Sequence, residues 1–241
     1  MKRNFVLLCC RAKIYKNETC ICNFKSNQSQ KHGFTFENDI RKNVFMLPTQ
    51  SNDTKIHDIP YYKNTLNSNE NISIKTTGSN TICCADILRF YSYDFSKQNT
   101  IIVIKYKQCD EYKIIQTIYE INYNTECHDY LFGNLPKNII EKYVENVKSI
   151  PTHIKGDEAK KIFDYLVEKK KIKQKYNNII QINPKVDSSQ TRVQCSIPNF
   201  EQTLNKFIIY KSPKDTPNLI REKYIVSEIE SSKRERKKKI K

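Results

Sequence analysis

Ile101-Ile-Val-Ile-Lys-Tyr106 and Lys113-Ile-Ile-Gln-Thr-Ile-Tyr119 are the two runs on which the fold turns. Both are dense in β-branched and aromatic residues, which suit a pleated, half-buried surface. The charged connector between them contains Asp110 and Glu111, so the pair reads as a hairpin. Upstream, Asn71-Ile-Ser-Ile-Lys75 alternates as a strand does and ends in the turn Thr76-Thr-Gly-Ser-Asn80; Ile56-His-Asp-Ile-Pro60 is a short extended piece before it. Further out, FTFENDIRKNVF (residues 34–45) sets Phe36, Ile40 and Val44 four apart on one helical face, with Glu37 and Arg41 along its border. Beyond the hairpin, residues 138–148 and 157–171 read as helices, the second burying Ile162, Phe163, Leu166 and Val167. Residues 180–210, broken by Asn183-Pro184 and Ile197-Pro198, read as loops and short strands rather than a second core. A helix, then paired strands, then helices implies an α/β (α+β) domain: one central mixed sheet flanked by helices.

The chain has 241 residues, enough for one domain with a buried core, and its 15 Tyr and 11 Phe argue against wholesale disorder. Residues 1–30 form a cysteine-containing N-terminal extension in which Ser26-Asn-Gln-Ser-Gln30 reads as a linker. Residues 31–230 form the main domain, and 231–241, with Lys233 to Lys241 reading KRERKKKIK, form a basic tail. Lys and Arg number 42 against 26 Asp and Glu, a formal charge of +16 that favours a polyanionic partner, nucleic acid first. With 4 Gly and no Gly-rich phosphate loop, P-loop nucleotide chemistry is nearly excluded. The nine cysteines include the neighbours Cys9/Cys10 and Cys83/Cys84, poor geometry for a secreted disulfide framework, and no stretch approaches the roughly 18 apolar residues of a membrane span. The expectation is a soluble intracellular protein.

Metal-dependent phosphodiester hydrolysis needs carboxylates to hold Mg²⁺ and a Lys to orient or deprotonate water, all at one sheet edge. Asp58 precedes the strand on which Ser73 and Lys75 share a face, because strand side chains alternate with period two. Glu37 on the preceding helix can reach the same edge. Taken together, Gly33-Phe-Thr-Phe-Glu-Asn-Asp-Ile-Arg41, His57-Asp-Ile-Pro60 and Ile72-Ser-Ile-Lys-Thr-Thr-Gly-Ser-Asn80 resemble, in order and spacing, the core of the PD-(D/E)xK type II restriction endonucleases. The resemblance covers residues 30 to 200 and is strongest between 33 and 90. It implies a metal-binding Asp58, a catalytic Lys75 and an assisting Glu37, with Mg²⁺ as cofactor, double-stranded DNA as substrate and a homodimer matching a palindromic site. Ser73 stands where the family's second acid belongs, as in an SxK variant, so the lost carboxylate must come from elsewhere, with Glu70 and Asp86 as the candidates. The segment from Ile182 to Ser196 resembles a late loop and strand of related enzymes, where Lys185, Gln190, Arg192 and Gln194 would contact DNA: Arg and Gln at base edges, Lys at phosphate.

Other chemistries compete. Cys9, Cys10, Cys20 and Cys22 could ligate zinc, although CC followed by CxC departs from the CxxC knuckle; the remaining cysteines are scattered and read as core residues. Cys127-His128 suggests a cysteine hydrolase only weakly, since neighbours on a strand point to opposite faces. The leading alternative is a DNA-binding protein with a degenerate nuclease fold, supported by the acid missing at position 73. An RNA-binding module finds no RNP-like signature in the Tyr-rich segments.

Overall fold

The computed structural model describes residues 13–15, 19–21, 28–49, 56–151, 153–154, 158–159, 164–186 and 191–230. The expected hairpin is its spine: β5 (Gln98–Cys109) and β6 (Tyr112–Asn122) run antiparallel from Thr100 opposite Asn122 to Cys109 opposite Tyr112, with a one-residue register shift between Lys105 and Tyr106. Asp110, at φ 49, turns the chain between them. β3 (Glu70–Thr77) lies parallel to β5 along its whole length, Glu70 opposite Gln98 and Thr77 opposite Lys105. On the far side β6 takes β12 (Glu228–Glu230) at one end and β9 (Ile208–Lys211) at the other, both antiparallel. The result is a five-stranded mixed sheet with β3 as a free edge, in keeping with the α+β reading.

Strand alternation sends successive side chains to two different cores. Ile72 and Ile74 of β3, Ile102 and Ile104 of β5, and Ile118 of β6 meet α1 (Gln28–Asn43), whose Phe36 and Ile40, followed by Val44 and Phe45, are buried there. Each such side chain contributes about 1.5–3 kcal/mol, enough to fix α1 across the sheet. Helical backbone starts at Gln28, inside the stretch expected to be a linker. The opposite face carries Ile101, Val103, Tyr119 and Ile121 into a larger core. That core includes α2 (Ile87–Tyr91), α3 (Thr125–Phe132), α4 (Lys137–Lys148) and Tyr165 and Ile172 of α5 (Tyr165–Tyr176).

Three expectations need correction. Residues 180–197 do hold short strands, but these are core elements: β7 (Gln181–Val186) pairs antiparallel with β8 (Thr191–Ile197), and β8 with β4 (Ile82–Asp86), as a second, three-stranded sheet in the order β4-β8-β7. Ile180, Ile182, Val193, Cys195 and Ile197 are buried in the larger core, and Pro184 is tolerated because β7 is an edge strand. α5 starts at Tyr165, where Asp164 accepts the Val167 N–H as N-cap, and runs past Lys171 to Tyr176; Leu166 is half-buried, Val167 is exposed, and Ile162 and Phe163 lie outside the described residues. Cys127-His128 sits on a helix, not a strand.

β1 (Lys13–Tyr15) and β2 (Thr19–Ile21) form a small hairpin. Cys9, Cys10 and Cys22 of the zinc reading lie outside the described residues. Of the other cysteines, Cys84, Cys127 and Cys195 are buried as expected, Cys109 is half-buried and Cys83 is exposed. Among the described residues no helix is long and apolar enough to cross a membrane.

The C-terminal segment closes over the sheet through a clasp. α6 (Phe200–Thr203) precedes β9, and β10 (Leu219–Ile220) and β11 (Lys223–Tyr224) pair through a two-residue turn. Arg221 and Glu222 occupy that turn at φ 46 and φ 61, a left-handed conformation normally left to Gly or Asn. What sustains it is Arg221, whose guanidinium donates to Glu70 at 2.8 and 2.9 Å and to Glu120 at 2.9–3.2 Å. It also lies 5.2 Å above the Phe45 ring, at the end of α1.

Candidate active site

The site forms at the free edge of β3. Ile59 bridges to Ile72 through two backbone hydrogen bonds of 2.8 and 3.0 Å, pairing the chain around Asp58 with the start of the strand. One position further along, the side chain replaces the backbone: Asp58 Oδ2 accepts the outward N–H of Ile74 at 2.5 Å. Lys75 Nζ then reaches back over the edge, 3.2 Å from Asp58 Oδ2 and 3.0 Å from the carbonyl of Ile74. Both groups remain partly accessible, 25% for Asp58 and 19% for Lys75. Arg41, buried in α1, fixes the loop by donating Nη1 to the Asp58 carbonyl at 2.5 Å and Nε to that of Pro48 at 3.3 Å.

Electrostatics tie Glu37 to this pair. Half-buried on α1, it is pushed up to about 7 by burial and then by the charge of Asp58, against the smaller pull of Lys75 and Arg41. Burial works against the Lys75 ammonium, but the Asp58 carboxylate, by charge and hydrogen bond, together with Tyr93 and Cys84, holds its pKa above the ordinary lysine value. The structure therefore pairs Asp58 with Lys75 at the β3 edge, and Glu37, on the helix packed against the sheet, feels both charges.

Ser73 lies on the same face of β3 as Lys75 but is bonded to other partners. Its Oγ shares a 2.9 Å hydrogen bond with Tyr93 Oη and lies 3.4 Å from His57 Nδ1. The His57 ring packs edge-on against Tyr93 at 4.4 Å, and burial lowers its pKa to about 4, with Lys75 acting in the same direction against the charge of Asp58. The imidazole is neutral at physiological pH. His57 and Tyr93 were not assigned roles from sequence: His57 is visible there only as the neighbour of Asp58, and Tyr93 arrives from the loop after α2 with no local signal.

The two expected substitutes for the missing acid are both engaged by other groups. Glu70 is buried at the other end of β3, where Thr100, Asn64 and the Arg221 guanidinium engage both its oxygens. Burial alone would raise its pKa, but these hydrogen bonds outweigh it and hold the carboxyl below the usual range. Asp86 is the N-cap of α2, accepting the Arg89 N–H at 3.0 Å. The carboxylate coupled to Asp58 is instead Glu37.

The expected DNA contacts divide similarly. Lys185 is exposed and lies opposite Arg192 across β7 and β8, and Arg192 buries an Nε with no hydrogen-bond partner. Gln194 is buried opposite Asn183, so it is unavailable to a base edge, and Gln190 lies outside the described residues. The cysteine-hydrolase reading loses its nucleophile, because burial pushes the Cys127 thiol up to about 12.

Magnesium is commonly held by one or two carboxylates, with water completing its shell. Both side-chain hydrogen bonds of Asp58 fall on Oδ2, which leaves Oδ1 open among the described residues. A magnesium ion on Asp58 would use Oδ1, and Glu37, whose carboxyl is raised first by burial and then by the Asp58 charge, is the acidic side chain coupled to it. Compared with protein-family models, with curated proteins and with solved structures, the chain matches none.

Proposed function

We propose that the protein is a Mg²⁺-dependent endonuclease of double-stranded DNA, resembling the type II restriction enzymes, with its active site at the β3 edge. The observation that carries this reading is the ion pair of Asp58 and Lys75 across the Ile74 peptide, with Glu37 coupled to it from α1. Metal bound at Asp58, with Glu37 coupled to it, would supply charge neutralisation and an acidified water. Lys75, held protonated by Asp58, acts as a fixed cation beside the attacked phosphate rather than as the base that takes a proton from water. Arg41 keeps Asp58 in place by anchoring its backbone. The charge of +16 supports a polyanionic substrate. By resemblance to the family, the active form is a homodimer that cuts a short specific sequence inside the cell.

The test is incubation of the purified protein with unmethylated plasmid in Mg²⁺ or EDTA, beside Lys75→Ala. Discrete fragments that require both metal and Lys75 bear the proposal out; intact DNA in every lane refutes catalysis. One observation favours a second reading: among the described residues there is no group of three His, Cys, Asp or Glu side chains arranged to hold a metal, and Ser73 is engaged with Tyr93. A DNA-binding protein without catalysis would shift the plasmid equally in Mg²⁺ and EDTA and never cut it.

A further inference from the structure

Two residues after Asp58, Pro60 leads into a 3-10 turn, Tyr61–Lys63, in which all three side chains are exposed. Tyr62 is 66% exposed, its ring edge-on to that of Tyr61 at 5.5 Å. Lys97 Nζ lies 4.9 Å above the Tyr61 ring and so holds a positive charge between the turn and the next feature, a cleft of about 510 Å³. Lys97 lines that cleft with Phe95, Asn122, Asn124 and Ile209. The volume falls within the range of pockets that hold one small organic group.

Turn and cleft are joined by a chain of hydrogen bonds. The Tyr61 N–H donates to Asn71 Oδ1 at 2.9 Å, and Asn71 Nδ2 donates to Asn99 Oδ1 at 3.2 Å. Asn99 in turn donates to the carbonyls of Asp94 and Lys97, on the cleft rim, at 2.9 and 3.2 Å. Asn71 and Lys75 point to the same face of β3 and are four residues apart, about 13 Å along the strand. The cleft therefore stands a few nucleotides from the Asp58–Lys75 edge.

An exposed aromatic ring, basic side chains beside it and carboxamides on a cleft wall suit a nucleotide whose base has left the duplex. A stacked base pair offers only its edges, whereas an unpaired base offers a π-face to Tyr62 and an edge to the amides of Asn122 and Asn124, with Lys63 and Lys97 at its phosphates. We infer that the Tyr61–Lys63 turn and the Lys97 cleft form a subsite for an unpaired nucleotide of the DNA strand bound at the β3 edge. This inference rests on the nuclease reading for the position of the strand but not for the binding itself.

The test is fluorescence anisotropy in EDTA, where cleavage plays no part, with the full chain and a duplex carrying a single-stranded tail, a duplex with a central mismatch, and a blunt matched duplex of the same core sequence. The tailed and mismatched duplexes are expected to bind about tenfold or more tighter than the blunt one, the scale of one stacked base. Tyr62→Ala should remove most of that difference while leaving blunt-duplex affinity within about twofold, and Tyr62→Phe should retain it; thermal melts of both variants check that the fold is intact. Equal binding of all three duplexes, no binding of any, or variants that weaken all three alike would overturn the subsite. Failure of the nuclease reading would show separately, as absence of cleavage in Mg²⁺.

Discussion

Replacing Arg221 by Ala should be among the most destabilising single changes available in this protein. The guanidinium is the shared cation of Glu70 and Glu120, whose side chains are 3% and 8% exposed. Removing one partner from a buried ionic cluster typically costs about 3–5 kcal/mol, against total stabilities of about 5–15 kcal/mol. Ala keeps a Cβ at φ 46, so the strain of the left-handed turn is not relieved; Arg221→Gly should recover about 1–2 kcal/mol of the loss. The pH dependence changes sign. In the parent protein Glu70 is held below its usual range, so its contribution is present above the unfolded carboxyl pKa and fades as pH falls through the folded value. Without Arg221 the buried Glu70 carboxylate faces Glu120 with no cation between them, its folded pKa rises above the unfolded one, and stability is lost as pH rises. Urea unfolding at pH 5 and pH 7.5 reads both effects: the variant's deficit should be larger at pH 7.5. A deficit below about 1 kcal/mol at pH 7.5, or one equal at the two pH values, would refute the reasoning.

Lys113 is buried, its ammonium 4.8 Å above the Tyr106 ring, and burial lowers it to about 8. Its penalty is thus present below pH 8 and disappears as pH rises toward the ordinary lysine value; Lys113→Met should raise Tm at pH 7 by an amount on the order of 1 kcal/mol of stability, with the gain absent near pH 10.5. Thiol alkylation at pH 8, read by peptide mass mapping, should modify exposed Cys83 well before buried Cys84, Cys127 and Cys195. If Lys185 on β7 contacts phosphate, Lys185→Ala should reduce the slope of log affinity against log salt by about 1, uniformly across DNA sequences; an unchanged slope would remove β7 from the interface.

The parts of the fold legible in the sequence are those where local pattern and final burial agree. The run from Ile101 to Tyr106 and that from Lys113 to Tyr119 form strands because their β-branched side chains fill both cores, and Phe36, Ile40 and Val44 are spaced as the buried face of α1 requires. Asp58 and Lys75 were legible as a pair because the strand parity and the short piece ending at Pro60 limit where they can meet. The second sheet was not: Gln181, Asn183 and Gln194 mask its alternation, and Gln194 is buried because cross-strand pairing satisfies its backbone on both sides, with β4 and β7. The reassignment of Glu70 was equally hidden, since its partner Arg221 is 151 residues away and comes within reach only once the C-terminal segment folds over β6. Ser73 left a gap that the sequence assigned to a neighbour in the chain, whereas the coupled carboxylate, Glu37, comes from the helix packed beneath the edge.

The central claim is that Asp58, Glu37 and Lys75 act together on phosphate at the β3 edge. Its most direct test is the rate of Mg²⁺-dependent cleavage of one plasmid by the parent protein, Lys75→Met, Glu37→Gln and Asp86→Asn side by side, the last of which keeps its helix cap. The account expects Lys75→Met and Glu37→Gln to lose at least about 100-fold in rate and Asp86→Asn to match the parent. Cleavage that survives the loss of Lys75, or that fails with Asp86→Asn but not with Glu37→Gln, would contradict it.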